Sequence, residues 1–259
     1  MKHDNSTAIT AIIPARFAST RFPGKPLELI GGKQMIHRVY EQASKAVSSV
    51  WVATDDERIK QAVEKFGGRV VMTSAEHRSG TDRCAEAASK IETETNSTID
   101  IVINIQGDEP FIKPGQISLL VSCFNETGVK IATLVREVRK DEDLFNINHP
   151  KVVIASNGDA LYFSRATIPF QRGIEKEHWL EHHRYFKHLG IYGYRKDVLF
   201  ELTKLGPGQL ENAESLEQNR WLENGYRIRT AVTEWESIGI DTPDDLEKAN
   251  EFLKRHGDI

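Results

Sequence analysis

Cysteine is scarce in this chain: Cys84 and Cys123 are the two in 259 residues. They cannot form a disulfide framework and do not stand in a metal-like or redox-like spacing, so a reduced, cytoplasmic setting is expected. No apolar run approaches the ~18 residues of a membrane span. Met1 to Thr7 is polar and has no signal-peptide apolar region. Charge of one sign is also missing in excess. The net charge of -4 argues against a general nucleic-acid or membrane-surface binder, so any anion site must be a local concentration of cations. No internal repeat and no low-complexity tract is present. Neither G-x-x-x-x-G-K-[ST] nor G-x-G-x-x-G follows the first strand-like run, which excludes the common P-loop and dinucleotide fingerprints.

What is present is an alternation of strand-like and helix-like segments. Ala8 to Pro14 reads as a buried strand, and Gln34 to Val47 carries a helical apolar stripe of Met35, Ile36, Val39, Tyr40, Ala43 and Val47. Val50 to Thr54 is a second strand. Asp55 or Asp56 can cap a helix ending at Phe66, stopped by Gly67 and Gly68. Arg69 to Thr73, a helix over Thr81 to Ile91, and the strand Ile99 to Ile105 follow. This order predicts βαβ units and an α/β fold with a mixed, mostly parallel sheet flanked by helices. In the second half, Lys130 to Val135 and Val152 to Ala155 read as strands. Asn157-Gly158 marks a hairpin before Ala160 to Phe163. Ala213 to Glu223 reads as one helix, and Thr242-Pro243-Asp244-Asp245 as a helix start. Gln171 to Arg184, charged and His-rich, reads as a mobile insertion over the sheet. Residues 1–259 are expected to form one domain, with about 136–195 an inserted lobe.

Ligands of open α/β sheets bind beyond the carboxyl ends of the strands. There the first strand runs into Arg16, Arg21 and Lys25, three cations in one loop punctuated by Gly24 and Pro26. Guanidinium and ammonium groups hold phosphate oxygens, so the loop suits a polyanion such as a nucleoside triphosphate; a solvated basic loop is the plain alternative. Gln106-Gly107-Asp108-Glu109-Pro110 ends the most strand-like run, and Asp108 there could ligate Mg²⁺, or belong to an ordinary turn. Asp241 is a second strand-end carboxylate, although it or Thr242 could equally cap the last helix. His178, His182 and His183 tempt a zinc reading, but no H-E-x-x-H is present and a solvated loop is the better account.

These blocks resemble the 3-deoxy-manno-octulosonate (Kdo) cytidylyltransferases, or CMP-Kdo synthetases. The resemblance is carried by the opening loop, Ala53 to Asp56, His77-Arg78-Ser79-Gly80-Thr81-Asp82-Arg83, Gln106 to Pro110, Ala160 to Pro169, Lys187 to Tyr194, Leu216-Glu217-Gln218 and Asp241 to Asp245, in family order. It implies a Rossmann-like nucleotide-diphospho-sugar transferase fold and transfer of CMP from CTP to the anomeric 2-hydroxyl of Kdo, with pyrophosphate leaving. Ala15, Arg16, Arg21 and Lys25 would hold the triphosphate, and Asp108 and Asp241 would ligate Mg²⁺. Arg78, Ser79, Gly80 and Thr81 would flank cytosine and ribose. Gln106, Arg165, His188, Tyr192, Glu217 and Gln218 would line the sugar pocket. The family also implies a homodimer and a place in lipopolysaccharide synthesis.

The rivals are close in fold. A CMP-sialate synthetase typically has Asn after the loop lysine, where this chain has Pro26, and a mannose-1-phosphate guanylyltransferase has a more glycine-rich loop. An 8-amino-8-deoxy Kdo substrate stays open. A non-catalytic nucleotide-sugar sensor has no need of Lys25, Asp108 and Asp241 together.

Overall fold

The computed structural model describes residues 7–18, 22–236 and 239–257. In chain order the elements are β1 (Ile9–Ala15), β2 (Leu29–Ile30), β3 (Lys33–Gln34), α1 (Met35–Ser44), β4 (Ser49–Thr54), α2 (Glu57–Lys65), β5 (Val70–Met72), α3 (Gly80–Thr95), β6 (Ile101–Asn104) and α4 (Pro114–Ser122). They continue with β7 (Ile131–Glu137), α5 (Asp141–Phe145), β8 (Lys151–Ile154), β9 (Ala160–Ser164), α6 (Trp179–His182), β10 (Phe186–Arg195), α7 (Lys196–Leu202), α8 (Gln209–Glu214), α9 (Glu217–Glu223), β11 (Ile228–Val232) and α10 (Pro243–His256). The chain forms two compact units, one of residues 1–118, 194–203 and 237–259, the other of 119–193 and 204–236.

In the first unit β6, β1, β4 and β5 lie side by side, all parallel. Parallel strands are covered on both faces, which is why β1 reads as an unbroken apolar run: Ala11, Ile12 and Ile13 are fully buried. α1 buries Met35, Ile36, Val39 and Ala43 of the expected stripe, while Tyr40 is half-buried and Val47 lies beyond the helix, which ends at Ser44. Asp56, rather than Asp55, caps α2 by accepting the Arg58 amide. Asp55 instead faces Arg83 at 3.4 Å. Ser79 caps α3 through the Asp82 amide. At α10 the cap is Thr242, in a reciprocal box with Asp245. Such a cap contributes about 1 kcal/mol to its helix.

In the second unit β7 pairs in parallel with β11, while β10, β8 and β9 pair antiparallel in turn. The Asn157-Gly158 hairpin forms as expected, with Gly158 at φ 86°. Two expectations need correcting. The helix read over Ala213 to Glu223 is two helices, α8 and α9, because Ser215 takes a left-handed φ of 51° and breaks the run. The Gln171 to Arg184 stretch is not a loose insertion. Trp179, 3% exposed, packs there with Tyr185, Leu144 and Val138 in a small core of its own, and its indole N–H donates to Ile174 O. Among the described residues no helix is long and apolar enough to cross a membrane.

Candidate active site

Where β1 ends, the chain must turn sharply and expose cations. Gly24 donates its amide to Phe17 O at 2.9 Å, closing the base of the loop. Its φ is +74°, and a Cβ there would lie 3.1 Å from the Phe17 ring, so glycine is required twice over. The guanidinium of Arg58 lies over the outer face of that ring, 3.3 Å from its centroid. Pro26 then sets a short 3-10 turn that carries Lys25 inward. Ser19, Thr20 and the expected phosphate ligand Arg21 lie outside the described residues.

Lys25 is the centre of the site. Its ammonium donates to Asp108 Oδ2 at 2.7 Å and Asp241 Oδ1 at 3.2 Å, and its side chain is 12% exposed. Two carboxylates separated by more than half the chain therefore meet on one cation. Local geometry explains how. Gly107 passes so close to β1 that a Cβ would stand 2.9 Å from Pro14 O, and this approach brings Asp108 in behind the opening loop. The Ile240 amide donates to Asp108 O at 2.9 Å and joins the two acidic segments directly. Because Thr242 supplies the helix cap, the Asp241 carboxylate is turned toward Lys25 instead.

A cavity of about 230 Å³ opens above these groups. Ala15, Arg16, Lys25, Asp108 and Asp241 line one part of it; Arg78, Ser79, Gly80 and Gln106 line another. Thr81, expected to flank the nucleotide, is 2% exposed and not part of the cavity wall. Ser79 Oγ accepts the Asp82 amide, so its hydroxyl hydrogen remains able to donate to a base acceptor. Five wall residues carry no assigned role from sequence: Pro14, Pro26, His77, Arg83 and Gly107. Arg83 is 4% exposed and held by Thr73 Oγ1 at 2.6 Å. His77 and Arg83 belong to the same motif as Arg78 to Thr81, and a histidine just before a helix cap was the available signal. Among the described residues no group of three or more His, Cys, Asp or Glu could cage a metal. The Asp108–Asp241 pair fits a different kind of site: two oxygen ligands that leave Mg²⁺ its remaining positions for water and phosphate.

The sugar-side residues lie in the second unit, apart from Gln106. His188 Nε2 lies 3.0 Å from Thr133 Oγ1. The Thr133 hydroxyl donates to Ile191 O at 2.7 Å, so it accepts from His188 and fixes the Nε2–H tautomer. Burial pushes the His188 pKa down, to about 3, and the ring is neutral at pH 7. It packs on Phe163 and Tyr192. Tyr192 in turn meets Trp221 edge-on. Burial and the neighbouring Glu217 raise its phenol well above the ordinary value. Gln218 is 5% exposed, and its amide nitrogen is buried with no hydrogen-bond partner among the described residues. A buried donor in that state costs ~1–3 kcal/mol and invites a ligand acceptor. Arg165 is placed differently: its guanidinium donates to the backbone oxygens of Glu214, Ile147 and Ser215. It orders the α8–α9 junction, leaving part of its five-donor fork for an anion.

The family model for cytidylyltransferases matches residues 10–229. A 3-deoxy-manno-octulosonate cytidylyltransferase of Bacteroides thetaiotaomicron is 57% identical over 246 residues, 94% of this chain and 97% of that protein. One from Geobacter sulfurreducens is 51% identical over 256 residues, 95% of this chain and 99% of its own. A solved CMP:2-keto-3-deoxy-manno-octonic acid synthetase complexed with CTP is 42% identical, with a TM-score of 0.87 over 96% of this chain and 99% of that one.

Proposed function

Because the chain belongs to the 3-deoxy-manno-octulosonate cytidylyltransferase family, we propose that Lys25, Asp108 and Asp241 form its reaction centre. The enzyme transfers CMP from CTP to the anomeric 2-hydroxyl of Kdo and releases pyrophosphate. The hydroxyl oxygen forms a bond to the α-phosphorus as the bond to the bridging oxygen of pyrophosphate breaks, and charge accumulates on the leaving group. This chemistry asks the protein for position and charge rather than covalent participation. The observation that carries the assignment is the meeting of one ammonium and two carboxylates on the wall that also presents Arg16 and the start of α3.

Arg16 and Lys25 stabilise the triphosphate and the departing pyrophosphate, as Arg21 would. Asp108 and Asp241 would hold Mg²⁺, which when bound neutralises phosphate charge and lowers the pKa of the attacking hydroxyl. Ser79, Arg78 and Gly80 hold the nucleoside, with helix-dipole support from α3. In the second unit, neutral His188, Tyr192, Glu217, Gln218 and Arg165 would contact the sugar; Gln218 supplies a desolvated donor and Arg165 a cation for the carboxylate. The homodimer is supported by exposed Ile147, Leu161 and Phe170 in the second unit, 60–72% accessible. The reduced cysteines support a cytoplasmic location.

The test is pyrophosphate release with each of four nucleoside triphosphates, crossed with Kdo, 8-amino-8-deoxy Kdo and sialic acid, with Mg²⁺. Release is expected with CTP and Kdo. Faster release with sialic acid or 8-amino-8-deoxy Kdo would move the substrate assignment, and no release with any pair would favour a sensor.

A further inference from the structure

Glu86 stands on α3 and is not part of the nucleotide cavity wall, yet it holds one side of that wall together. Its Oε2 accepts the Ser74 amide at 2.9 Å. The same oxygen makes a short contact with His77 Nε2. Its Oε1 pairs with Lys90 at 2.7 Å, and Lys90 also donates to Met72 O at 2.8 Å. One carboxylate therefore ties the end of β5, the loop that follows and α3 to a single point.

Burial works against a charge on Glu86. The hydrogen bonds from Lys90, the Ser74 amide and His77 outweigh it and hold the carboxyl down to about 2. An ionised carboxylate is acceptor-only, so His77 Nε2 carries the proton. His77 lines both the nucleotide cavity and a shallow groove of about 380 Å³ that Glu86 lines with Asp82, Phe200 and Thr203. The residues after the ring, Arg78, Ser79 and Gly80, are the ones that face the nucleotide. The start of this loop is fixed separately, by the Thr73 amide on Thr54 O at 2.8 Å, and its end by the Ser79 cap. Glu86 fixes the middle.

We propose that Glu86 is a positioning residue for the nucleotide, acting through the Ser74 amide and the His77 ring to set the Arg78–Gly80 segment against the cavity. The proposal rests on that cavity being the CTP site. Glu86 touches no substrate; its role is transmitted by charge-assisted hydrogen bonds, the strong kind. A displaced binding segment loses affinity for what it binds, so the effect falls on CTP and spares the sugar.

The experiment measures CTP binding by calorimetry and the KM values for CTP and Kdo in wild type, Glu86→Ala, Glu86→Gln and His77→Ala. Glu86→Ala should weaken CTP binding about tenfold and leave the Kdo KM within about twofold, the size expected of a slightly misplaced segment. Glutamine keeps one carbonyl oxygen for both Ser74 and His77, so Glu86→Gln should recover most of the loss, to within about threefold of wild type. His77→Ala should reproduce the weakening without deleting the carboxylate, so the proposal remains testable if Glu86→Ala does not fold. Wild type that fails to bind CTP would refute the cavity assignment itself. Wild type that binds CTP, with Glu86→Ala and His77→Ala binding it equally well, would overturn the positioning role alone. So would a parallel rise in both KM values with a lowered thermal midpoint and no recovery in Glu86→Gln.

Discussion

Replacing Lys25 with methionine separates two effects that the structure superimposes. The ammonium lies 2.7 Å from Asp108 and 3.2 Å from Asp241. At an effective dielectric constant of about 20, unit charges this close attract by roughly 5 kcal/mol. The carboxylates are 31% and 48% exposed, which screens that attraction, and the desolvated ammonium offsets more of it. About 1–2 kcal/mol of net stabilisation remains. A divalent cation approaching the two carboxylates must displace Lys25 from them. Lys25→Met removes that competition and leaves the Asp108 and Asp241 carboxylates without the ammonium that they share. Mg²⁺ should therefore bind the nucleotide-free variant about tenfold more tightly, since 1.4 kcal/mol is a factor of ten. Turnover should move the other way and fall by about 10²–10³, the loss typical of one donor that stabilises developing charge. Isothermal titration with Mg²⁺ measures the first effect and pyrophosphate release at saturating CTP and Kdo the second. Unchanged or weaker Mg²⁺ binding in Lys25→Met would refute the competition argument, and with it the pairing of Asp108 and Asp241 as metal ligands.

Asp108→Asn and Asp241→Asn should each lower turnover at least about 10²-fold while the thermal midpoint stays close to wild type. Each variant keeps its backbone contacts, Asp108 O on the Ile240 amide and the Asp241 amide on Asp245, and leaves Lys25 its other carboxylate. Near-normal rates in both variants at saturating Mg²⁺ would reject the assignment. Lys151 offers a pH test of the second unit. It is fully buried, with its ammonium on Asn146 O at 2.7 Å. Burial, then repulsion from Arg165, lowers its pKa from 10.5 to about 8 despite attraction from Glu214. Below pH 8 both folded and unfolded chains carry the proton, and the folded state bears the full penalty, about 3 kcal/mol. As pH rises from 8 to 10.5 the native lysine is neutral while the unfolded one still binds a proton, so wild-type stability rises through that window. Lys151→Met lacks this rise. In denaturant titrations its stability relative to wild type should fall by about 3 kcal/mol across the window, and a constant difference would show the lysine to be unperturbed.

The first unit was the more legible half. β1, β4 and β6 announce themselves because parallel strands covered on both faces are continuously apolar, as with Ala11, Ile12 and Ile13. The helices between them carry visible stops, such as Gly67 at φ 78°. In the second unit local rules competed with tertiary packing. Ser215 is not a residue that predicts a break, yet its left-handed turn divides the helix before Leu216. The Gln171 to Arg184 stretch is polar by composition, and only its packing reveals that Trp179 gives it a core. Three apolar residues, Ile174, Trp179 and Leu180, scattered among many charged ones leave no periodicity to read.

The same difference separates the site residues. Lys25 and Asp108 could be named from sequence because each lies in the loop after a parallel strand, β1 and β6, and such loops gather along one edge of the sheet; Asp241, read as a strand-end carboxylate, follows no strand, since β11 ends at Val232, and it is placed instead by the Ile240 amide on Asp108 O. The choice between Asp241 and Thr242 as helix cap could not be made from sequence, since either side chain could reach the amides. It is made by Asp245, which closes a reciprocal box with Thr242 and leaves the neighbouring carboxylate for Lys25. Glu86 was invisible for a related reason. On a helix that also carries Asp82 and Lys90 it reads as one more exposed charge, and its pairing with Lys90 is an ordinary one-turn pair. Its importance comes from what crosses from another element, the Ser74 amide and the His77 ring. Residues that touch phosphate, metal or base are constrained by ligand chemistry and so carry a recognisable type. Residues that position them are constrained only by where the neighbouring loop happens to pass, and that is a property of the fold.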